Sequence, residues 1–374
     1  MIDDVVDLTA RLVAIDSVNP SLVEGGAGEA EIAAFVAGWA RENGLEARML
    51  EDTPGRPSVL VTARKRNPAH PGRTLLLCGH LDTVNVEGMT DPHTPRIDGD
   101  RLFGRGAYDM KSGVAAALIA CREAAKLGLA GDVVVAAVAD EEHASLGMQE
   151  ALRHVEADAA IVTEPTELHL IVAHKGFIWA ELEVTGRAAH GSRPDLGEDA
   201  IAKAGPVLSA IAALDESLGA RRHPLLGRGS VHASTITGGV ELSSYPARCV
   251  VGVERRTLPG ETVDDVEAEL AALGAAHRIL LVREGFEVAT NEDVVAAMSA
   301  AAAALLGGTP PPIAGASYWA DAAFVAAAGI PTVMFGASGA GAHALEEWVS
   351  IPDTITVTRI LVDAARVLTA PSRT

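Results

Sequence analysis

The feature that most constrains this chain is a set of short, wholly apolar runs, each ending in polar residues with chemical potential. Thr74-Leu-Leu-Leu-Cys78 ends in Gly79-His80, Val133-Val-Val-Ala-Ala-Val-Ala139 in Asp140-Glu-Glu142, and Ala159-Ala-Ile-Val162 in Thr163-Glu164-Pro165. Runs this short, without polar interruption, fit strands buried on both faces, the pattern of a parallel sheet. Between them Val114, Leu118, Cys121 and Ala125 mark one helix face. Two amphipathic helices open the chain, one on Val5, Leu8, Leu12 and Ile15, the other on Ile32, Phe35, Val36 and Trp39 before Asn43-Gly44. Strand and helix alternate, so the spacing predicts an α/β domain.

From about Gly176 the rhythm changes. Ile178, Ala180, Leu182 and Val184 alternate along a strand, and a helix follows over roughly Asp199 to Leu218. Strands at Ser230 to Thr237 and Arg248 to Glu254, a helix on Val263, Val266, Leu270 and Leu273, and a strand near Ile279 to Val282 complete a βαββαβ order. An Ala-rich helix (Val294 to Leu306), a strand at Pro331 to Phe335 and a closing helix (Val357 to Leu368) then resume the first style. A small domain at 176–286 is therefore expected inside a larger one made of 1–175 and 287–374.

The formal net charge of −20 repels polyphosphates and argues against nucleic acid or an anionic membrane as partner. The longest apolar stretches fall far short of the ~20 residues that cross a bilayer. The acidic start, Met-Ile-Asp-Asp, is unlike an export signal. Three cysteines, Cys78, Cys121 and Cys249, have no Cys-x-x-Cys spacing; neither disulfide framework nor thiolate metal site is expected, and a reducing cytoplasm is the default location. Gly106 to Ser112 lacks the glycine that a phosphate loop places before its lysine, which excludes nucleotide binding there.

The polar clusters at the strand ends are His80-Leu-Asp82, Asp109, Glu141-Glu142, Glu164 and, after the last strand, His343. Open α/β sheets collect ligands at this end. Imidazoles and carboxylates in such number suit Zn²⁺ or a similar ion, with oxygens enough for two. Two ions about 3.5–4 Å apart need a shared carboxylate to offset their repulsion and can activate one water between them. Of the adjacent Glu141 and Glu142, one can bind metal while the other takes the proton of that water. Asp82 is placed to orient His80.

The spacing resembles the M20 metallopeptidase family, which includes acetylornithine deacetylase, succinyl-diaminopimelate desuccinylase, aminoacylases and carboxypeptidase G2. The residues that carry the likeness are Gly79-His-Leu-Asp-Thr-Val84, Gly106-Ala-Tyr-Asp-Met-Lys-Ser-Gly113, Asp140-Glu-Glu-His143, Thr163-Glu-Pro-Thr166 and Gly341-Ala-His343. Gly186-Arg-Ala-Ala-His-Gly-Ser-Arg-Pro194 and Glu254-Arg-Arg-Thr-Leu-Pro-Gly260 extend it into the inserted domain. The resemblance implies a zinc-hydrolase (phosphorylase/hydrolase-like) α/β domain with a mixed sheet flanked by helices. It also implies an inserted ferredoxin-like lid through which a homodimer forms.

Carried over by position, the resemblance makes Asp109 the bridging ligand, with His80 and Glu164 on one metal and Glu142 and His343 on the other. The metals are Zn²⁺ foremost, with Co²⁺ or Mn²⁺ as alternatives. Glu141 becomes the general base, Asp82 supports His80, His190 stabilises the oxyanion, often from a partner subunit, and Arg256 holds the substrate carboxylate. Two positions depart from the family pattern. Ser243-Ser-Tyr-Pro246 stands where many members have Asn-x-x-Pro, leaving Ser243 or Tyr245 to substitute, and Ala189-His-Gly191 replaces Ala-His-Ser.

The function implied is removal of the N-acyl group from a small N-acyl amino acid, and in the family a Glu at position 164 leans that way. An M20 dipeptidase or carboxypeptidase is the nearest alternative, and a non-catalytic metal-binding or dimerisation protein the alternative of another class. Closure of the lid predicts hinges near Lys175-Gly176 and Glu284 to Glu287. Arg255 is read as an edge-strand arginine serving solubility, and the other histidines, His70 among them, lack motif support.

Overall fold

The apolar runs are strands of a mixed sheet. The computed structural model describes residues 4–65 and 72–371; His70 and the first three residues lie outside them. The sheet order is Glu46–Leu50, Ser58–Ala63, Val133–Val138, Leu75–His80, Ala159–Val162, Thr332–Met334, Leu170–His174. The four from Val133–Val138 to Thr332–Met334 are mutually parallel, and every residue in them except His80's polar ring is small or apolar and buried. Ser58–Ala63 runs antiparallel to both of its neighbours, so Glu46–Leu50 beyond it points the same way as the central four, and on the other side Leu170–His174 pairs antiparallel with Thr332–Met334.

Helix Ser112–Leu127 packs on the central strands and against Asp4–Val13 and Ile351–Leu368. Leu118 in it is fully buried, a contribution of about 1.5–3 kcal/mol, and the helix stops at Gly128, whose φ of 61° is the left-handed cap. The closing helix starts earlier than its apolar spacing suggests, at Ile351 rather than Val357. Ser350 caps it by accepting Asp353 N–H at 3.3 Å, and Pro352 sits in the first turn, where a missing N–H is harmless.

The chain divides into two compact units. One takes the residues up to Val172, Val288–Ala314 and those from Ala320 on; the other is Ala173–Glu287 with Gly315–Trp319. In the second, Gly176–Thr185, Ser230–Gly238, Arg248–Thr257 and Ala276–Arg283 form a sheet in the order Ser230–Gly238, Arg248–Thr257, Gly176–Thr185, Ala276–Arg283. All neighbours are antiparallel. With helices Ala200–Leu218 and Val263–Ala271 this is the split βαβ, ferredoxin-like arrangement. Ile178, Ala180, Leu182 and Val184 form a core with Val207, Ile211, Val266 and Leu270, while alternate residues face away, as the two-residue period of a strand requires.

Arg255 corrects the reading made from sequence. Its strand lies inside the sheet, between Ser230–Gly238 and Gly176–Thr185, and Arg255 is 1% exposed. The strand period places it on the same face as Val251 and Val253. Its charge is met there by Glu269 at 2.8 Å and Glu261 at 3.1 Å, so it is a buried structural cation. Among the described residues no helix is long and apolar enough to cross a membrane, and the three cysteines are buried free thiols.

Candidate active site

Three parallel strands lead into the site: Leu75–His80 ends on His80, Val133–Val138 runs into the turn of Glu141 and Glu142, and Ala159–Val162 runs into Glu164. His80 closes Leu75–His80 and is 2% exposed. Its Nδ1 lies 2.9 Å from the Asp82 main-chain oxygen; a carbonyl only accepts, so Nδ1 carries the proton and Nε2 points to Asp109 Oδ1 at 3.2 Å. This refines the expected role of Asp82. The atom that orients His80 is the backbone carbonyl, whereas the carboxylate, 3.6 Å from Nδ1, accepts Glu141 N–H at 3.1 Å and Glu142 N–H at 3.2 Å. Asp82 thus holds the turn that carries both glutamates.

Asp109 lies in the turn Ala107–Lys111, entered through Gly106 at φ 78°, and its peptide bond to Met110 is cis. The buried Glu347 carboxylate accepts N–H bonds from Gly106 (2.9 Å), Tyr108 (2.8 Å) and Asp109 (3.0 Å). Arg105 pairs with the same carboxylate at 2.7 Å and donates to the Ala344 carbonyl at 2.8 Å, tying the Asp109 turn to the His343 loop. Gly113 lets the following helix start close to the next strand, since a Cβ there would stand 2.1 Å from the Thr163 oxygen.

Two groups of possible ligand atoms result, His80, Asp109 and Glu164, and Asp109, Glu142 and His343, each within 4.8 Å of one another. Asp109 belongs to both through different oxygens: Oδ1 faces His80 and Oδ2 is 3.4 Å from His343 Nε2, which is 3.2 Å from Glu142 Oε2. Imidazole and carboxylate donors around one shared acid are the chemistry of a bridged divalent pair, so the residues fit two such ions.

With protein charges alone, burial pushes Glu164 up to about 8, with Asp109 and Glu142 adding to the push against His80. Burial likewise raises Glu141 well above the usual carboxylate range, opposed by His80 and reinforced by Glu164, Asp321 and Glu142. Burial pulls His80 down, but Asp109, Glu164, Glu141 and Asp82 outweigh it and hold the ring well above its ordinary value. His343 is raised to about 10, chiefly by its contacts with Asp109 and Glu142. Burial would raise Asp109 too, but the two imidazoles hold it well below the usual range.

The structure thus brings together His80, Asp82, Asp109, Glu141, Glu142, Glu164 and His343. The other two expected residues lie in the second unit. His190 is exposed, with Nδ1 2.8 Å from Ser192 Oγ, so Ser192 supplies a hydroxyl where Gly191 has none. Arg256 donates through Nε to Glu254 at 2.6 Å and lies 5.0 Å over the Phe177 ring. Sequence reasoning missed Asn19, Arg56, Arg105 and Glu347, which brace the site without facing it. Only Asn19-Pro20 carries a local signal, an Asx turn in which Ser21 N–H bonds to Asn19 Oδ1 at 2.9 Å.

The fold and these two groups define a hydrolase of amide bonds. The chain belongs to peptidase family M20/M25/M40, whose model matches residues 76–367. It is 30% identical over 280 residues to an acetylornithine deacetylase from Photorhabdus laumondii, covering 70% of this chain and 67% of that protein. Its fold is shared with an M20 family metallo-carboxypeptidase from Sulfolobus solfataricus (TM-score 0.79, 20% identity, 98% and 99% of the two chains). A dinuclear metal-binding M20 peptidase from Bacillus subtilis matches similarly (TM-score 0.74, 15% identity, 99% of each chain).

Proposed function

We propose that this protein is a two-metal amidohydrolase that removes the acyl group from a small N-acyl amino acid. The observation that carries the reading is the pair of ligand groups sharing Asp109, with Glu141 beside them on the turn held by Asp82. Relatives named acetylornithine deacetylase support deacylation over peptide cleavage.

His80, Asp109 and Glu164 would hold one divalent ion and Asp109, Glu142 and His343 the other; when bound, such a pair supplies Lewis acidity and a water acidic enough to be deprotonated near neutral pH. Glu141 then acts at its carboxylate oxygen, accepting the proton of the attacking water and passing it to the leaving nitrogen. Arg256 would grip the substrate carboxylate through two charge-assisted hydrogen bonds, and His190 would donate to the oxyanion.

The test is hydrolysis by protein reconstituted with Zn²⁺ or Co²⁺, across N-acetyl and N-succinyl amino acids and unblocked dipeptides. Metal-dependent release of amine from an acylated amino acid is the expected result. Cleavage of dipeptides alone would move the protein to the peptidase reading, and stoichiometric metal uptake without turnover would overturn both.

A further inference from the structure

A buried ionic network lies behind the Glu141 turn, and apart from Asp82 nothing in the proposed chemistry uses it. Arg56, 7% exposed, grips Glu29 in a two-pronged contact, Nε to Oε2 at 2.7 Å and Nη2 to Oε1 at 2.7 Å. The same Nη2 donates to Asp140 Oδ1 at 2.7 Å and to Asn19 Oδ1 at 3.1 Å, while Nη1 reaches Ser21 Oγ at 2.8 Å. Because Arg56 and Ser21 N–H both donate to Asn19 Oδ1, the amide orientation of Asn19 is fixed. Its Nδ2 then donates to Asp82 Oδ2 at 2.7 Å and to Asp140 Oδ1 at 3.0 Å. Asn19, Glu29, Asp82 and Asp140 are all fully buried.

Beyond Glu29, Arg56 reaches two further carboxylates, Asp140 directly and Asp82 through Asn19, and both adjoin the backbone of the glutamate pair. Asp140 precedes Glu141 and has φ 69°, a left-handed conformation that Asp adopts more readily than most residues with a side chain and that its contacts with Arg56 and Asn19 hold in place here. Asp82 accepts the N–H groups of Glu141 and Glu142. A cation matched to Glu29 alone would need neither contact; here one guanidinium nitrogen is shared among Glu29, Asp140 and Asn19.

We propose that Arg56 is a positioning residue: through Asp140 and through Asn19–Asp82 it locks the 140–142 turn, so that Glu141 is held at its working place. The inference rests on the reading of Glu141 as general base. It predicts that loosening the network lowers turnover rather than substrate binding.

Arg56→Lys keeps the charge but loses the fork, and Asn19→Ala cuts the link to Asp82 while leaving the guanidinium. In metal-loaded protein each should lower kcat about 10- to 100-fold, the usual effect of removing an outer support of a metal site, with KM changed less than about twofold. Because the two act as one unit, the double variant should be little worse than the worse single one.

In metal-free protein, well below its melting temperature, amide exchange across 139–145 should be faster than in the parent chain while exchange elsewhere is unchanged. Parent-like kcat and exchange in a folded variant would overturn the proposal, as would KM rising in step with the loss of kcat. If Arg56→Lys does not fold, Asn19→Ala decides by the same readouts. Glu141→Gln run alongside separates the two ideas. Retained turnover there removes the base assignment and leaves the exchange result to judge Arg56, whereas an inactive Glu141→Gln with a parent-like Arg56→Lys removes the positioning role alone.

Discussion

The two candidate ligand groups share one aspartate yet are built differently. His80 and Glu164 sit at the ends of adjacent parallel strands, 2% and 5% exposed. Glu142 and His343 come from turns; the His343 side chain is 56% exposed and its φ of 61° is left-handed. A ligand on a strand end inherits the rigidity of the sheet. One on a turn depends on other groups to hold it, here Asp82 for the Glu142 turn and the Arg105–Glu347 pair for the His343 loop. The lesson is that half of this site is positioned by secondary structure and half by buried polar contacts.

That contrast can be broken most forcefully at the residue common to both halves. Asp109→Asn should remove metal from both groups and lower turnover ~10³-fold or more, whereas Glu164→Gln and Glu142→Gln should each lose about one equivalent first; metal analysis after dialysis distinguishes them. Equal, partial losses in all three would contradict the shared role.

A smaller effect is expected from the support of the exposed half. Glu347→Gln keeps the size of the side chain but weakens its hold on the Asp109 turn and Arg105, and should lower activity or metal affinity about 10- to 100-fold. Chelator titration should then show the His343 site emptying earlier than in the parent protein, with the strand-end site, which shares Asp109 but has no ligand on the His343 loop, weakened less.

Proton release sharpens the same comparison. With His343 near 10 and Glu164 near 8, both hold a proton at pH 7, while their ligand forms are deprotonated. Metal uptake at pH 7 should therefore expel protons, and apparent affinity should rise with pH until these groups have titrated. Calorimetric titration in two buffers of different ionisation enthalpy measures the release. Uptake without release would mean that the protons are not there.

The smallest effect concerns the frame alone. Ser350→Ala removes the cap of helix Ile351–Leu368 and should cost about 1 kcal/mol of stability, read by denaturant unfolding, with kcat unchanged.

Much of this architecture was legible in the sequence because its signals are local. The runs ending in His80, Glu141-Glu142 and Glu164 announce buried strands and their ligand ends, and the alternation from Ile178 to Val184 announces the second sheet. Glu46–Leu50 was not legible, since an edge strand with Glu46 and Arg48 facing water lacks an apolar alternation. Arg255 misled because a buried arginine and an edge arginine look alike until the strand order is known. The supports were hidden for a further reason: Arg105 meets Glu347 across 242 positions, and Arg56 meets Asp140 across 84. No period or motif within one segment encodes such a pairing.

The measurement that bears most directly on the account is the turnover and metal content of Glu141→Gln beside the parent protein, on the acylated amino acid the parent cleaves best. Two equivalents of metal are expected in both proteins, with a fall in kcat of about 10²–10⁴-fold in the variant. Parent-like turnover with full metal would contradict it.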